Sequence, residues 1–169
     1  MVVVTKCPKQ IKPMDLNLLK ANLDLFPSQK LYFSTVQYYN LMPVFPEMVK
    51  SIPALQQLGG SDSLLIVTGI ANHLPFVRFL KAFKTAIKVI HFSDHHNFSR
   101  YDFELISNRY EKMTGNRKII VTTEKDAVRM ANNPYFPHEL KGVIYFVPIK
   151  VSFDYPIANQ DFIGDLKKK

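Results

Sequence analysis

Tryptophan is absent and cysteine occurs once, as Cys7, in a chain of 169 residues. A single thiol cannot close a disulfide within the chain and has no second thiol beside it for a zinc site, which excludes a disulfide-stapled scaffold and points to a reducing compartment. Long apolar runs are missing too. The opening Met1–Val4 run is too short for a signal-peptide core, and nothing approaches the ~18 residues needed to span a bilayer. The six glycines, Gly59, Gly60, Gly69, Gly115, Gly142 and Gly164, never fall into the G-x-x-x-x-G-K-[ST] spacing of a phosphate-cradling loop. Concentrated positive charge is also lacking. The 22 basic and 14 acidic residues give +8, but they are spread along the chain, with only Lys167, Lys168 and Lys169 contiguous at the end. A dedicated nucleic-acid binder, which gathers its charge on one element, is therefore not favoured, and an anionic partner such as a phosphorylated or membrane-bound ligand fits the balance.

What is present is enough for a core. Hydrophobic residues make up 47% of the chain, with 13 Phe and 8 Tyr, and a chain of this size removes about 70% of its unfolded surface from water on folding. Met1–Lys6 reads as a buried strand, β-branched without polar alternation. Such an abrupt start is also what a piece of a longer protein would show. Pro13 opens a helix with Leu16, Leu19, Leu23 and Phe26 on one face, and Pro27 closes it. Leu31–Tyr39 has strand composition, and Pro43–Pro53 reads as an irregular excursion. Leu64–Val67 is a further buried strand. A helix is predicted from His73 to Lys84, with Phe76, Leu80, Phe83 and Ile87 facing inward and Arg78, Lys81, Lys84 and Lys88 outward.

Val89–Phe92 then gives a strand, Tyr101–Met113 a helix capped by Ser99, Lys118–Thr122 a strand, Glu124–Ala131 a helix and Val143–Ile149 a strand. Strands alternating with helices predict a single α/β domain over residues 1–165, a mostly parallel twisted sheet with helices on both faces. Residues 166–169 are left as a mobile basic tail.

Sheets of this kind place their chemistry just past the carboxyl ends of the strands. Four segments fall there: Thr5-Lys6, Thr68–Asn72, Ser93–His96 and Thr122–Asp126. Each is rich in capping residues, as any βα turn is, and each also offers free backbone N–H groups and a helix N-terminus to an anion. Asp94-His95-His96 is the most chemical string. The carboxylate could orient a histidine as a general base, the set could ligate a metal, or Asp94 could cap the turn with both rings at the surface. His73, His91 and His138 stand alone in the sequence. Lys125 is a phosphate contact on one reading and a solvated ion-pair partner on the other. The basic residues from Arg78 to Lys88 are either the wet side of a helix or a contact for anionic lipid.

Val3-Val-Thr-Lys-Cys-Pro8, Leu65-Ile-Val-Thr-Gly-Ile-Ala-Asn72, Phe92-Ser-Asp-His-His-Asn-Phe-Ser99, Ile120-Val-Thr-Thr-Glu-Lys-Asp-Ala-Val-Arg129 and Val147-Pro-Ile149 occur in an order and spacing that resembles the C-terminal half of the tetraacyldisaccharide 4'-kinase family. The resemblance implies transfer of the γ-phosphate of ATP to the 4' hydroxyl of a lipid A disaccharide 1-phosphate, at the cytoplasmic face of the inner membrane of Gram-negative bacteria. It implies a two-domain P-loop protein whose N-terminal domain carries the Walker A loop and the acids that hold Mg²⁺, so that ATP and Mg²⁺ are held mainly there and no metal ligand is assigned to this chain. His95 matches the family histidine that pairs with the catalytic aspartate. Asp94 orients that loop. Lys6 matches a basic position near the nucleotide phosphates, and Thr5, Asn72 and Lys125 join it as phosphate-binding candidates. The partners implied are the lipid A precursor, ATP, the N-terminal P-loop domain and a peripheral membrane contact, with no nucleic acid. Two other readings stand beside this one: a metal-dependent phosphoesterase built on Asp94, His95 and His96, and a noncatalytic nucleotide- or anion-binding module.

Overall fold

The structure is a computed structural model and describes residues 1–8, 12–26, 28–153 and 162–167. In chain order the elements are β1 (Val2–Val4), α1 (Pro13–Asn22), β2 (Leu31–Phe33), β3 (Thr35–Tyr38), β4 (Met42–Pro43), β5 (Ser63–Thr68), α2 (Leu74–Lys81), β6 (Ala86–His91), α3 (Arg100–Glu111), β7 (Lys118–Thr123), α4 (Glu124–Ala131), β8 (Ile144–Val147), β9 (Ile149–Ser152) and α5 (Phe162–Lys167). They group into two compact units, Met1–Gln37 with Ile149–Lys169, and Tyr38–Pro148.

The second unit is a five-stranded sheet in the order β4-β8-β7-β5-β6. The strands β6, β5, β7 and β8 run parallel, and only the short edge strand β4 is antiparallel. The run Leu64-Leu-Ile-Val67 is fully buried, because a central parallel strand is covered on both faces. Alternation along the strand divides its residues between two cores. Leu65 and Val67 pack with Phe103 and Ile106 of α3, Met130 of α4 and Ile120 of β7. Leu64 and Ile66 pack with Phe76, Val77 and Leu80 of α2 and with Ile119 and Val121. Helices therefore cover both faces, as the alternation of elements predicts.

In the first unit β1 pairs in parallel with β2, Val2 opposite Leu31, and Leu16 of α1 covers Leu31 and Phe33. The strand expected at Met1–Lys6 is thus three residues long and half-buried in a two-stranded pair, not a core strand of the main sheet. The strand expected over Leu31–Tyr39 divides at Ser34. There the backbone of Ser34 bonds Val4 on one side and Cys7 on the other, and from Thr35 the chain turns to β9 instead. α5 packs Phe162 edge-on to Tyr32, and Asp165 accepts from Lys30 Nζ at 2.9 Å and Tyr32 Oη at 2.7 Å. The helix runs on through Lys167 where a tail is expected, while Lys168 and Lys169 lie outside the described residues.

Three further boundaries differ from expectation. α1 stops at Asn22, leaving Phe26 exposed beyond it. α2 stops at Lys81: Phe83 and Lys84 close tight turns onto Leu80 and Lys81, and Lys84 takes a left-handed φ of 55° that ends the helix. Ile87 and Lys88 consequently belong to β6, so the basic residues from Arg78 to Lys88 do not form one helix face. The strand expected to reach Ile149 ends at Val147, because Pro148 has no N–H to donate to a ladder. α4 spans Glu124–Ala131 as predicted.

Candidate functional site

The chain leaves β5 through α2 towards β6 on one side and leaves β7 through α4 towards β8 on the other, while β5 and β7 are neighbours. Their carboxyl ends therefore flank the crevice where the winding reverses, the place such sheets use for ligands.

Three segments converge there. Thr123 caps α4, its Oγ1 taking the backbone N–H of Asp126 at 3.2 Å and donating to Asp126 Oδ2 at 2.7 Å. The same Oδ2 accepts the backbone N–H of Gly69 at 2.9 Å, which ties the end of β5 to the start of α4. Asp126 is 0% exposed. A side chain at position 69 would place its Cβ 3.2 Å from Asp126 Oδ1 and 3.4 Å from His96 Cβ, so a larger residue there would have to push these neighbours back by a few tenths of an ångström.

The third segment is the loop after β6. Asp94 Oδ1 accepts from the backbone N–H of His95 at 3.0 Å and from Lys125 Nζ at 3.3 Å. His95 adopts a left-handed φ of 60°, rare for a residue with a side chain. That conformation sends neighbouring rings in different directions. His95 Nδ1 lies 3.2 Å from Arg129 Nη2 of α4, whereas His96 Nε2 lies 2.9 Å from Asp102 Oδ2 and its ring stacks on Phe92. Asp102 also closes the capping box of α3 with Ser99. His96 is a structural ring, and Asp94 and His95 are the pair that meets α4.

The electrostatics follow the contacts. Desolvation of Asp94 works against its charge, but the hydrogen bond from Lys125 and the nearby charges of His95 and Lys125 hold the carboxyl below the ordinary aspartate range. Asp102 behaves alike: desolvation opposes, and the bonds from Ser99 and His96 prevail. Arg129 Nη1 stands 3.6 Å from Asp126 Oδ1. Among the described residues, those two atoms and the hydroxyls of Thr68 and Thr122 are buried without a hydrogen bond.

Of the residues singled out in the sequence, Asp94, His95 and Lys125 come together. Asn72 is exposed in the turn before α2, and Thr5 and Lys6 are exposed after β1 in the first unit, Lys6 with a φ of 57°. His73 and His91, solitary in the sequence, stack with ring centroids 3.9 Å apart. Burial, and then the neighbouring His91, lower the His73 pKa. The sequence shows Asp126 only as a member of the Thr122–Asp126 segment and gives Arg129 no site role of its own. The i,i+4 spacing of Lys125 and Arg129, which puts both on one face of α4, is the signal that marks them.

An open, mostly parallel α/β unit with an ionic cluster at its switch point belongs to the class of doubly wound ligand-binding domains. The family model for tetraacyldisaccharide-1-P 4'-kinase matches residues 6–167. A curated tetraacyldisaccharide 4'-kinase from Bacteroides thetaiotaomicron is 44% identical over 176 residues, covering 99% of this chain and 46% of that protein. One from Phocaeicola vulgatus is 41% identical over 152 residues, 90% of this chain and 41% of that protein. The crystal structure of the "apo" form of LpxK from Aquifex aeolicus in complex with ATP aligns with a TM-score of 0.47 at 13% identity, over 99% of this chain and 50% of that one. The chain belongs to the tetraacyldisaccharide-1-P 4'-kinase family. It spans about half the length of the curated relatives it matches.

Proposed function

We propose that the chain is the C-terminal half of an ATP-dependent tetraacyldisaccharide 4'-kinase, which phosphorylates the 4' hydroxyl of the lipid A disaccharide 1-phosphate precursor. The observation that carries this is the 44% identity to a curated kinase of that name over 99% of the chain. The cluster at the switch point supports it. In phosphoryl transfer the protein's work is positioning and charge compensation, and Asp94, His95, Lys125 and Arg129 put one carboxylate, one imidazole and two cations within a few ångströms.

In this reading His95 faces the catalytic aspartate of the N-terminal P-loop domain and strengthens it as the base for the sugar hydroxyl. Asp94 fixes the loop. Thr5 and Lys6 of the first unit and Asn72 of the second are each candidates for a nucleotide phosphate, and Lys125 holds Asp94 while offering a second positive charge. Bound ATP supplies the transferred phosphoryl group. Mg²⁺ is assigned in this reading to the P-loop domain, as the family resemblance implies; among the described residues no three His, Cys, Asp or Glu side chains gather as a metal-ligand set. The same finding leaves the phosphoesterase reading without a donor set.

The family resemblance supports a place of work at the cytoplasmic face of the inner membrane, and an acylated substrate suits a membrane surface. Among the described residues no helix is long and apolar enough to cross a membrane, and the contact proposed is peripheral. The test is direct. The intact protein, given ATP and tetraacyldisaccharide 1-phosphate, should yield the 4'-phosphorylated lipid, and ATP turnover that leaves the lipid unmodified would refute the assignment.

A further inference from the structure

We infer that Arg129 is a positioning residue that selects, in the neutral form of the His95 ring, the tautomer protonated on Nε2, so that this ring enters the reaction as a hydrogen-bond donor. A guanidinium has only donors. Its Nη2, 3.2 Å from His95 Nδ1, makes a favourable contact only if that nitrogen carries a lone pair. The ring proton must then sit on Nε2. On that side stands an acceptor, Asp94 Oδ2, at 3.6 Å, so both edges of the ring meet groups suited to one tautomer. The other tautomer would instead turn its N–H towards the donors of Arg129.

The lock is anchored in the core. Asp126 is fully buried, and its Oδ2 is engaged by the Gly69 N–H and the Thr123 hydroxyl. Its Oδ1 faces Arg129 Nη1 at 3.6 Å, which holds the inner edge of the guanidinium while the outer edge reaches His95. The backbone that carries the ring is itself fixed, because the His95 N–H is held by Asp94 Oδ1 and φ there is left-handed. One buried carboxylate thus fixes a cation, which fixes a tautomer. A donor at Nε2 suits a carboxylate or a phosphoryl oxygen and excludes proton abstraction by that nitrogen. The consequence for turnover rests on the kinase reading above, whereas the tautomer itself does not.

The experiment is proton–nitrogen correlation NMR on the intact protein with ¹⁵N-labelled histidine, at a pH above the ordinary histidine range, with the His95 signals assigned through His95→Gln. Wild type should show an unprotonated Nδ1 and a protonated Nε2. Arg129→Met should move the two nitrogen signals towards each other as the second tautomer becomes populated, and Arg129→Lys should restore most of the difference. A wild-type spectrum with the proton on Nδ1 would overturn the inference even if no variant folds, as would an Arg129→Met spectrum identical to wild type. In the kinase assay Arg129→Met should lower kcat about tenfold with the KM for ATP unchanged, and Arg129→Lys should recover most of it. If His95→Ala turns over normally, this loop's part in the reaction is lost while the tautomer result stands.

Discussion

The carboxylate of Asp126 accepts the backbone N–H of Gly69 at 2.9 Å across 57 positions of sequence, with both residues buried. This bond joins the ends of two neighbouring parallel strands at the place where the sheet reverses its winding. It couples stability to the candidate site, because the same carboxylate accepts the hydroxyl of Thr123, which caps α4, and faces Arg129.

Asp126→Ala should therefore be costly. It leaves the Gly69 N–H and the inner edge of Arg129 buried without a partner, a loss of about 3 kcal/mol by the general cost of stranding buried polar groups. Asp126→Asn keeps the shape and part of the bonding and should cost less. Urea denaturation of both variants checks the order. A loss below ~0.5 kcal/mol for Asp126→Ala would show that the carboxylate does not hold the strand ends together.

Two glycines separate fold from site. At Gly115, φ is 134° and an added Cβ would lie 2.8 Å from the backbone oxygen of Ser61, so Gly115→Ala must move backbone. A cost of about 1–3 kcal/mol is expected, with no change at His95. At Gly69 the added Cβ would press on Asp126 Oδ1 and His96 Cβ, so Gly69→Ala should disturb both stability and the His95 ring signals. Thermal melts together with histidine NMR distinguish the two outcomes.

Much of this arrangement was legible in the sequence. The all-apolar Leu64–Val67 run identifies the central strand, Ser99 the start of α3, and Thr123 with its acidic first turn the start of α4. These signals are local, each readable within a few residues. The stacking of His73 on His91 was not legible, because it depends on the register that sets Thr68 opposite His91 in the parallel pair. Nor was the change of partner at Ser34, where strand composition continues unbroken but the ladder passes from β1 to β9. The role of Asp126 was half visible. A capping acid in the first turn is a common surface pattern, and only the approach of Gly69 turns it into a buried tie.

Acid should weaken the α3 cap in a defined window. The Asp102 carboxyl is opposed by desolvation but held below its ordinary value by Ser99 and His96. Its folded pKa is thus lower than its unfolded one, and the stability it contributes is present above about pH 3.8 and lost as pH falls through the folded value. Asp102→Asn should remove that part of the acid transition while lowering stability near neutrality. Ser99→Ala, which removes the hydroxyl half of the capping box, should cost about 1 kcal/mol. Stability curves measured from neutral to strongly acidic pH give the answer. A wild-type and an Asp102→Asn protein that lose stability in parallel through that window would contradict the assignment.

On the kinase reading proposed above, residues 1–169 supply only part of the transfer machinery. The chain carries the cluster Asp94, His95, Lys125 and Arg129 but no G-x-x-x-x-G-K-[ST] loop. In P-loop kinases such a loop and its metal hold and neutralise the phosphates. Residues 1–169 expressed alone should therefore fold but show no detectable 4'-phosphorylation of tetraacyldisaccharide 1-phosphate, and product above background would refute the division of labour. In the intact protein His95→Ala should lower turnover by about a hundredfold while ATP affinity, measured by calorimetry, stays near wild type, because the ring acts on the hydroxyl side of the reaction. Equal losses in turnover and ATP affinity would instead place His95 against the nucleotide.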